Sequence, residues 1–276
     1  MRNKLILRNK VIYFMICIIV TLLMSGCGVI QKIKVDLGMV NKDFDYLSDN
    51  NINSVTVQSV RDKNFKFIIK DKDVTDDLYD ILSKGKKVEV KSELKPDYII
   101  QIQEKNGDVH EYSYIAGLDR EENGNLFSDD DVYIVSKRLD EDLIRNFFNL
   151  RKPIDFYSVY YGSILSVVDQ YIKEYSYEKG YIDIKDDSYI QKFIYSTDLR
   201  DFNQYINQNY KNLNIYNGDD CETVFKISTE GYDSDTFKMK VIVETPETKV
   251  NYYVICEYKD LGWNIKVSKD KAPEVF

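Results

Sequence analysis

The sequence predicts an α+β protein built from two small domains, and three observations carry that prediction. Length is the first: the chain has 276 residues, and roughly 230 to 250 remain once the apolar amino terminus is set aside, room for two cores of ~100 to 150 residues each. The second is a change of period. Apolar residues recur at steps of three and four over residues 155–175, but at steps of two over residues 222–269, the repeats of a helix face and of a half-buried strand. The third is punctuation, with Pro153 standing between two self-contained sets of elements. Domain limits follow at residues 51–152 and 153–270, with a tail at 271–276.

The first domain opens with NSVTVQSV, where Val55 and Val57 alternate with Thr56 and Gln58, and continues in NFKFIIK, where Phe65, Phe67 and Ile69 share a face. Both read as strands around a basic turn. Asp73 is a candidate helix cap with Asp76 three residues on, and Val74, Leu78, Ile81 and Leu82 form one stripe before Gly85. KKVEVK is a further strand. Beyond Pro96 the chain to Ile115 predicts a hairpin, because Asn106 and Gly107 tolerate the positive backbone angles of a two-residue turn. After VYIVS, the spacing of Leu139, Leu143, Phe147 and Leu150 predicts a closing helix. Asp97 and Tyr98 on one strand, Tyr133 on a later one and that closing helix are similar to a small domain of Firmicute lipoproteins of the YhfM-like kind, over about residues 50–150. The resemblance implies an antiparallel sheet with two helices and brings no activity with it.

The second domain starts with a long helix, on which Phe156, Val159, Tyr160, Ile164, Val167 and Val168 begin a stripe that runs on through Tyr171, Ile172 and Tyr175. After YIDI, two shorter helices are predicted over SYIQKFIY and DLRDFNQYINQNY, with Ser188 and Thr197 as caps. Four strands follow, ETVFKIST, TFKMKVIVET, VNYYVICEYK and GWNIKVS. Short connections at Gly231, Pro246 and Gly262 make them consecutive antiparallel neighbours. Helices first and a meander second, with Gly262 and Trp263 opening the last strand, resembles the nuclear-transport-factor-2-like or cystatin-like cone over about residues 154–270. That resemblance implies a bent four-stranded sheet that encloses a pocket.

The amino terminus carries an address. Arg2, Lys4, Arg8 and Lys10, with no acid among them, hold that end on the cytoplasmic side of a membrane. Residues 11–24 are 14 nearly uninterrupted apolar positions, the length of a signal-peptide core and short of the ~20 that a spanning helix needs. Met24, Ser25, Gly26 and Cys27 follow, and they resemble a bacterial lipobox. The resemblance implies removal of residues 1–26 as a signal peptide and a lipid on Cys27, with residues 27–50 as a polar tether that has little to pack. Met24 stands where Leu is usual, and an uncleaved signal anchor over residues 11–30 is the alternative. Either way the remainder faces outward.

Past residue 26 the chain carries 34 basic and 46 acidic residues, a net charge of −12. That balance excludes non-specific nucleic-acid binding and electrostatic adhesion to anionic lipid, which both need clustered Lys and Arg. The 23 tyrosines suit strands and half-buried helix faces.

Catalytic residues are sparse. The chain has one histidine, His110, and shows no nucleophile elbow, phosphate-binding glycine loop or paired-cysteine motif. In DREENGNLFSDD, Asp119, Glu121, Asn123 and Asp130 fall at positions 1, 3, 5 and 12 of a calcium loop, with Gly124 at the turn and Leu126 at the apolar position. A solvated acidic loop accounts for the same letters. Acid pairs such as Asp186 with Asp187, or Asp219 with Asp220, are expected by chance among 46 acids. Cys221 and Cys256 either bridge or remain two buried thiols.

These readings point to an extracytoplasmic lipoprotein of a low-GC Gram-positive envelope, tied to the cytoplasmic membrane through Cys27. It would present a non-catalytic module to another envelope protein or a wall component. A ligand-binding or enzymatic cone at residues 154–270 and calcium-dependent assembly through residues 119–130 are the alternatives.

Overall fold

A computed structural model of the chain describes residues 40–48, 51–118, 123–148, 152–216, 222–274 and 276. The lipobox, including Cys27, lies outside them.

The architecture is α+β, with two sheets. The first contains β1 (Ile52–Ser59), β2 (Lys66–Ile69), β3 (Lys86–Val88), β4 (Tyr98–Glu104), β5 (Val109–Tyr114), β6 (Leu126–Phe127) and β7 (Val132–Ile134). Its seven strands are ordered β2-β1-β4-β5-β6-β7-β3 and every neighbouring pair is antiparallel. Alternation decides its faces: in β4, Tyr98, Ile100 and Ile102 point into the core and Ile99, Gln101 and Gln103 point away.

Helix α1 (Lys72–Leu82) buries Thr75, Leu78, Ile81 and Leu82. Its cap is Asp71, which accepts from the Asp73 amide at 2.9 Å, so the predicted cap Asp73 lies two residues inside, in the first turn. Asp76, expected to complete the cap, instead receives Lys72 Nζ at 2.6 Å. The closing helix begins as a π-helical turn, Leu139–Ile144, and continues as α2 (Arg145–Phe148). A five-residue repeat brings Ile144 beneath Leu139, and both are fully buried together with Leu143. Of the predicted stripe, the Phe147 side chain and Leu150 lie outside the described residues.

The tether expectation needs correction at its far end. Residues Lys42–Leu47 form a 3₁₀ helix capped by Asn41, and Phe44 and Leu47 enter the core. The Phe44 ring lies 4.8 Å from that of Tyr133 and 5.8 Å from that of Tyr112. Asn41 also donates its amide to Ser83 O at 2.6 Å. Two apolar residues three apart are one turn of such a helix, too short to show as a period.

The second unit contains α3 (Phe156–Glu174), β8 (Gly180–Asp183), α4 (Ser196–Asn209), β9 (Leu213–Ile215), β10 (Thr223–Tyr232), β11 (Thr236–Glu244), β12 (Lys249–Lys259) and β13 (Gly262–Lys269). The predicted meander β10 to β13 is present, but the sheet has six strands, not four, in the order β13-β12-β11-β10-β8-β9. β8 runs parallel to β10, and β9 parallel to β8. Parallel neighbours need a crossover, and α4 supplies it between β8 and β9. SYIQKFIY is not a helix beyond the 3₁₀ turn Gln191–Phe193. Ile190, Phe193, Ile194 and Tyr195 are all buried, so this segment is held by contacts all round and not by one face. Ser188 caps nothing there, and Thr197 lies inside the first turn of α4 with its hydroxyl directed to Ala116 O at 3.3 Å.

The buried apolar side chains of both units form one continuous core. Asp97 locks the joint. Immediately before β4 and 2 % exposed, it accepts from the Ala116 amide at 2.9 Å, from the Ser196 amide at 2.8 Å and from Arg61. Its carboxylate thereby caps α4, a helix of the other unit. Arg61 donates further to Ser196 Oγ at 2.6 Å and to Ile194 O at 3.2 Å, and Ser196 Oγ donates to Lys95 O at 2.7 Å.

Removing one partner of a buried ion pair leaves the other uncompensated. Asp97→Ala is expected to lower the unfolding free energy by about 3 to 5 kcal/mol, read from urea unfolding. An unchanged midpoint would show that this carboxylate does not hold the units together.

A candidate binding groove and a titrating junction

Helices α3 and α4 start near the junction and end at a concave surface. Two troughs of about 960 and 620 Å³ share residues 175–178 as a common wall. The first is lined by Ile172, Tyr177 and Tyr210 and by the amides of Asn209, Asn212 and Asn214. The second is acidic, with Glu174, Glu178, Glu222 and Glu247 around Thr223 and Pro246. The first trough also includes Lys179 and Lys211, beside Glu178.

Local bonds fix these walls. Tyr175 stacks on Tyr171 at 4.9 Å and 20°, and its hydroxyl accepts from Lys269 Nζ at 2.8 Å. Lys269 also bonds Glu174, and these two partners hold its ammonium above the usual lysine range. Tyr210 donates to Asp169 Oδ1 at 2.8 Å. Asn212, in the left-handed region at φ 56°, donates to Glu178 O at 2.9 Å and accepts from the Gly180 amide at 3.0 Å. Gly180 packs closely here: a Cβ would approach the Tyr177 ring to 3.2 Å and Leu213 to 3.1 Å. Between α3 and the sheet, by contrast, Val159, Tyr160, Val167, Phe237, Met239 and Val254 are wholly buried against one another. These two troughs therefore lie outside that core.

At the junction end, Lys152 holds its ammonium over the rings of Phe156, Phe193 and Tyr195, at 5.3, 5.5 and 5.7 Å. Burial lowers its pKa to about 8, and the ring faces return part of the lost hydration. Asp198 accepts from the Tyr195 amide at 3.3 Å, and burial raises its carboxyl to about 6. Burial also raises Asp97, against the pull of Arg61. Tyr114 donates to the buried Asp140 at 2.5 Å, beside these groups.

The residues singled out in the sequence are dispersed. His110 Nε2 lies 2.7 Å from Glu104 Oε1, and its ring stacks on Tyr46 at 3.9 Å, which braces the 3₁₀ helix against the hairpin. Asp119 and Glu121 lie outside the described residues; Asn123 is half-buried and Asp130 exposed. Among the described residues no group of three or more candidate metal-binding side chains lies together. Gly124 has a packing role: its amide donates to Val90 O at 2.8 Å, and a Cβ would meet Val132 at 2.2 Å. Asn125 is 1 % exposed and binds Leu118 O, Val135 O and the Val135 amide. Cys256 is a buried free thiol, 3.2 Å from Ser163 Oγ and pushed up by burial to about 11; Cys221 lies outside the described residues. Asp187, 2 % exposed, accepts from Thr229 N and Oγ1 at 3.0 and 2.8 Å and ties its loop to β10; Asp219 and Asp220 lie outside the described residues.

Two expectations follow. The folded state keeps a proton on Asp198 up to about pH 6, where the unfolded chain loses it near 3.8. The associated stability is thus complete below the lower value and lost as pH rises through the higher one. Asp198→Asn should flatten the thermal midpoint between pH 4 and 6 relative to the parent; parallel curves would refute it. Gly124→Ala should cost about 1 to 3 kcal/mol through overpacking, with the same loss in calcium and in chelator if the glycine serves packing alone.

Among the described residues no helix is long and apolar enough to cross a membrane. No curated protein and no solved structure gives a significant match to the chain. A family model described as YhfM protein does match, over residues 48–153. That span takes in the whole seven-stranded sheet with α1 and α2, so the similarity to the YhfM family covers the first unit.

Proposed function

We propose that the protein is an extracytoplasmic lipoprotein, tied to the outer face of the cytoplasmic membrane through lipid on Cys27, and that its two units form one non-catalytic binding module facing the envelope. The observation that carries this reading is the amino-terminal run: four cations, 14 apolar positions, then Met24, Ser25, Gly26 and Cys27. Supporting it, the remainder of the chain is strongly acidic, so no basic surface is available to replace the tether. The Lys42–Leu47 helix adds a second support. It packs residues 42–47 onto the first unit, so the chain that leads in from the amino terminus joins the folded body at Phe44 and Leu47. The second unit keeps the element order of the cone that it resembles, helices before a meander, and its open groove is the feature suited to binding.

Cys27→Ser should abolish acylation, and the protein should accumulate as unprocessed precursor or leave the membrane fraction. Intact mass measured on membrane-extracted parent protein decides between the anchors. A membrane form that retains residues 1–26 and lacks acyl mass would refute the lipid anchor in favour of a retained helix.

A further inference from the structure

We infer that the groove around residues 175–178 is a binding site for an uncharged polysaccharide chain. This deepens the envelope-binding reading by naming the class of ligand. Shape comes first. Compact small-molecule sites enclose most of their ligand within ~300 to 1,000 Å³, whereas these two troughs are open and run into one another past a shared wall. Such a surface accepts an extended chain that enters and leaves at the ends.

Chemistry comes second. A sugar ring offers an apolar face of C–H groups and a rim of hydroxyls that both donate and accept. The groove supplies matching parts. Tyr175, Tyr177 and Tyr210 are half-buried, so part of each ring faces the solvent. Between them stand the side chains of Asn209, Asn212 and Asn214, and an amide offers both a donor and an acceptor. Among the described residues the Asn214 amide has no hydrogen-bond partner, so it is available to a ligand. Charges of both signs line the surface, Lys179 and Lys211 with Glu178 in the first trough and Glu174, Glu178, Glu222 and Glu247 in the second, which disfavours a uniformly anionic or cationic polymer.

Rigidity comes third. The Lys269 bond to Tyr175, the Asp169 bond to Tyr210 and the Asn212 bond to Glu178 set the rings before any ligand arrives, which limits the ordering cost of binding. Position agrees as well. The groove lies at the far end of α4 from Asp97, and 14 residues of helix amount to ~21 Å. It is thereby carried away from the first unit, where the amino-terminal chain attaches.

The test uses the full-length protein in detergent, so that it is independent of acylation. Its failure would leave the lipid-anchor reading to be judged by mass alone. Cosedimentation is measured with chitin and with insoluble wall sacculi, before and after acid removal of anionic polymers. The parent should sediment with chitin or with the stripped sacculi. Tyr210→Ala and Asn214→Ala should each weaken binding about tenfold, equivalent to ~1.4 kcal/mol. Tyr210→Phe, which keeps the ring but loses the bond to Asp169, should bind more tightly than Tyr210→Ala and less tightly than the parent. Tyr189→Ala, at a tyrosine 62 % exposed elsewhere, should bind as the parent does. Thermal midpoints of all variants are compared with the parent, and Asn214→Ala serves as the deciding variant if Tyr210→Ala unfolds. Absence of binding to every uncharged matrix overturns the inference. So does binding restricted to unstripped walls, or binding that the groove variants leave unchanged.

Discussion

A carboxylate removed from water must be surrounded by donors, and Asp97 obtains its donors from both halves of the molecule. Ala116 and Arg61 come from segments that follow β5 and β1 of the first unit, and the Ser196 amide comes from the second unit. The charge thus adds an acceptor for the Ser196 amide at the start of α4, where Asp198 already receives the Tyr195 amide. In most helices a neighbouring Ser, Thr, Asp or Asn takes that role; here the residue before the helix is Tyr195. The units cannot separate without stranding both a buried anion and the Ser196 amide that it receives. This makes the pair of sheets one body despite their separate hydrogen-bond ladders.

That constraint orients everything farther out. With α4 pinned at Ser196 and α3 beginning beside the aromatic seat of Lys152, the opposite ends of both helices are fixed as well. Those ends carry Ile172, Asn209 and Tyr210, which line the groove. Asp198 and Lys152 sit where a shift in charge acts on the joint itself. The groove walls, in turn, depend on bonds confined to the second unit. Orientation and local shape are therefore set by different residues.

Strongly patterned segments were legible in the sequence. The alternation in β4 and in β10 to β13, and the long stripe of α3, give the right elements because one face of each is buried and the other is wet. Legibility stopped where burial is all-round or the element is one turn long. β8 has Gly180, Tyr181 and Ile182 buried in succession, so no alternation marks it. Phe44 and Leu47 belong to a single turn. The π turn replaced a three-and-four spacing by one of five. Site residues followed the same logic. Gly124, at the turn of an apparent ion-binding pattern, has its place explained by the absence of room beside Val132. Asp97 was visible only as a strand residue, since its partner Ser196 is 99 positions away. The groove joins residues 171–179 to residues 209–214 and 222–248, and no local pattern reports such a meeting.

The distance in sequence between Asp97 and Ser196 bears on the order of assembly. A chain that emerges amino terminus first completes β1, β4 and β5, with Arg61 and Asp97 in place, before Ser196 arrives. The acceptor for α4 is then waiting when its donor appears, and one long loop closure is replaced by docking onto a formed surface. The reverse order would leave the Ser196 amide without its acceptor. The direction of synthesis and the direction of structural dependence coincide, which shortens the interval in which the aromatic surfaces of the second unit stand exposed.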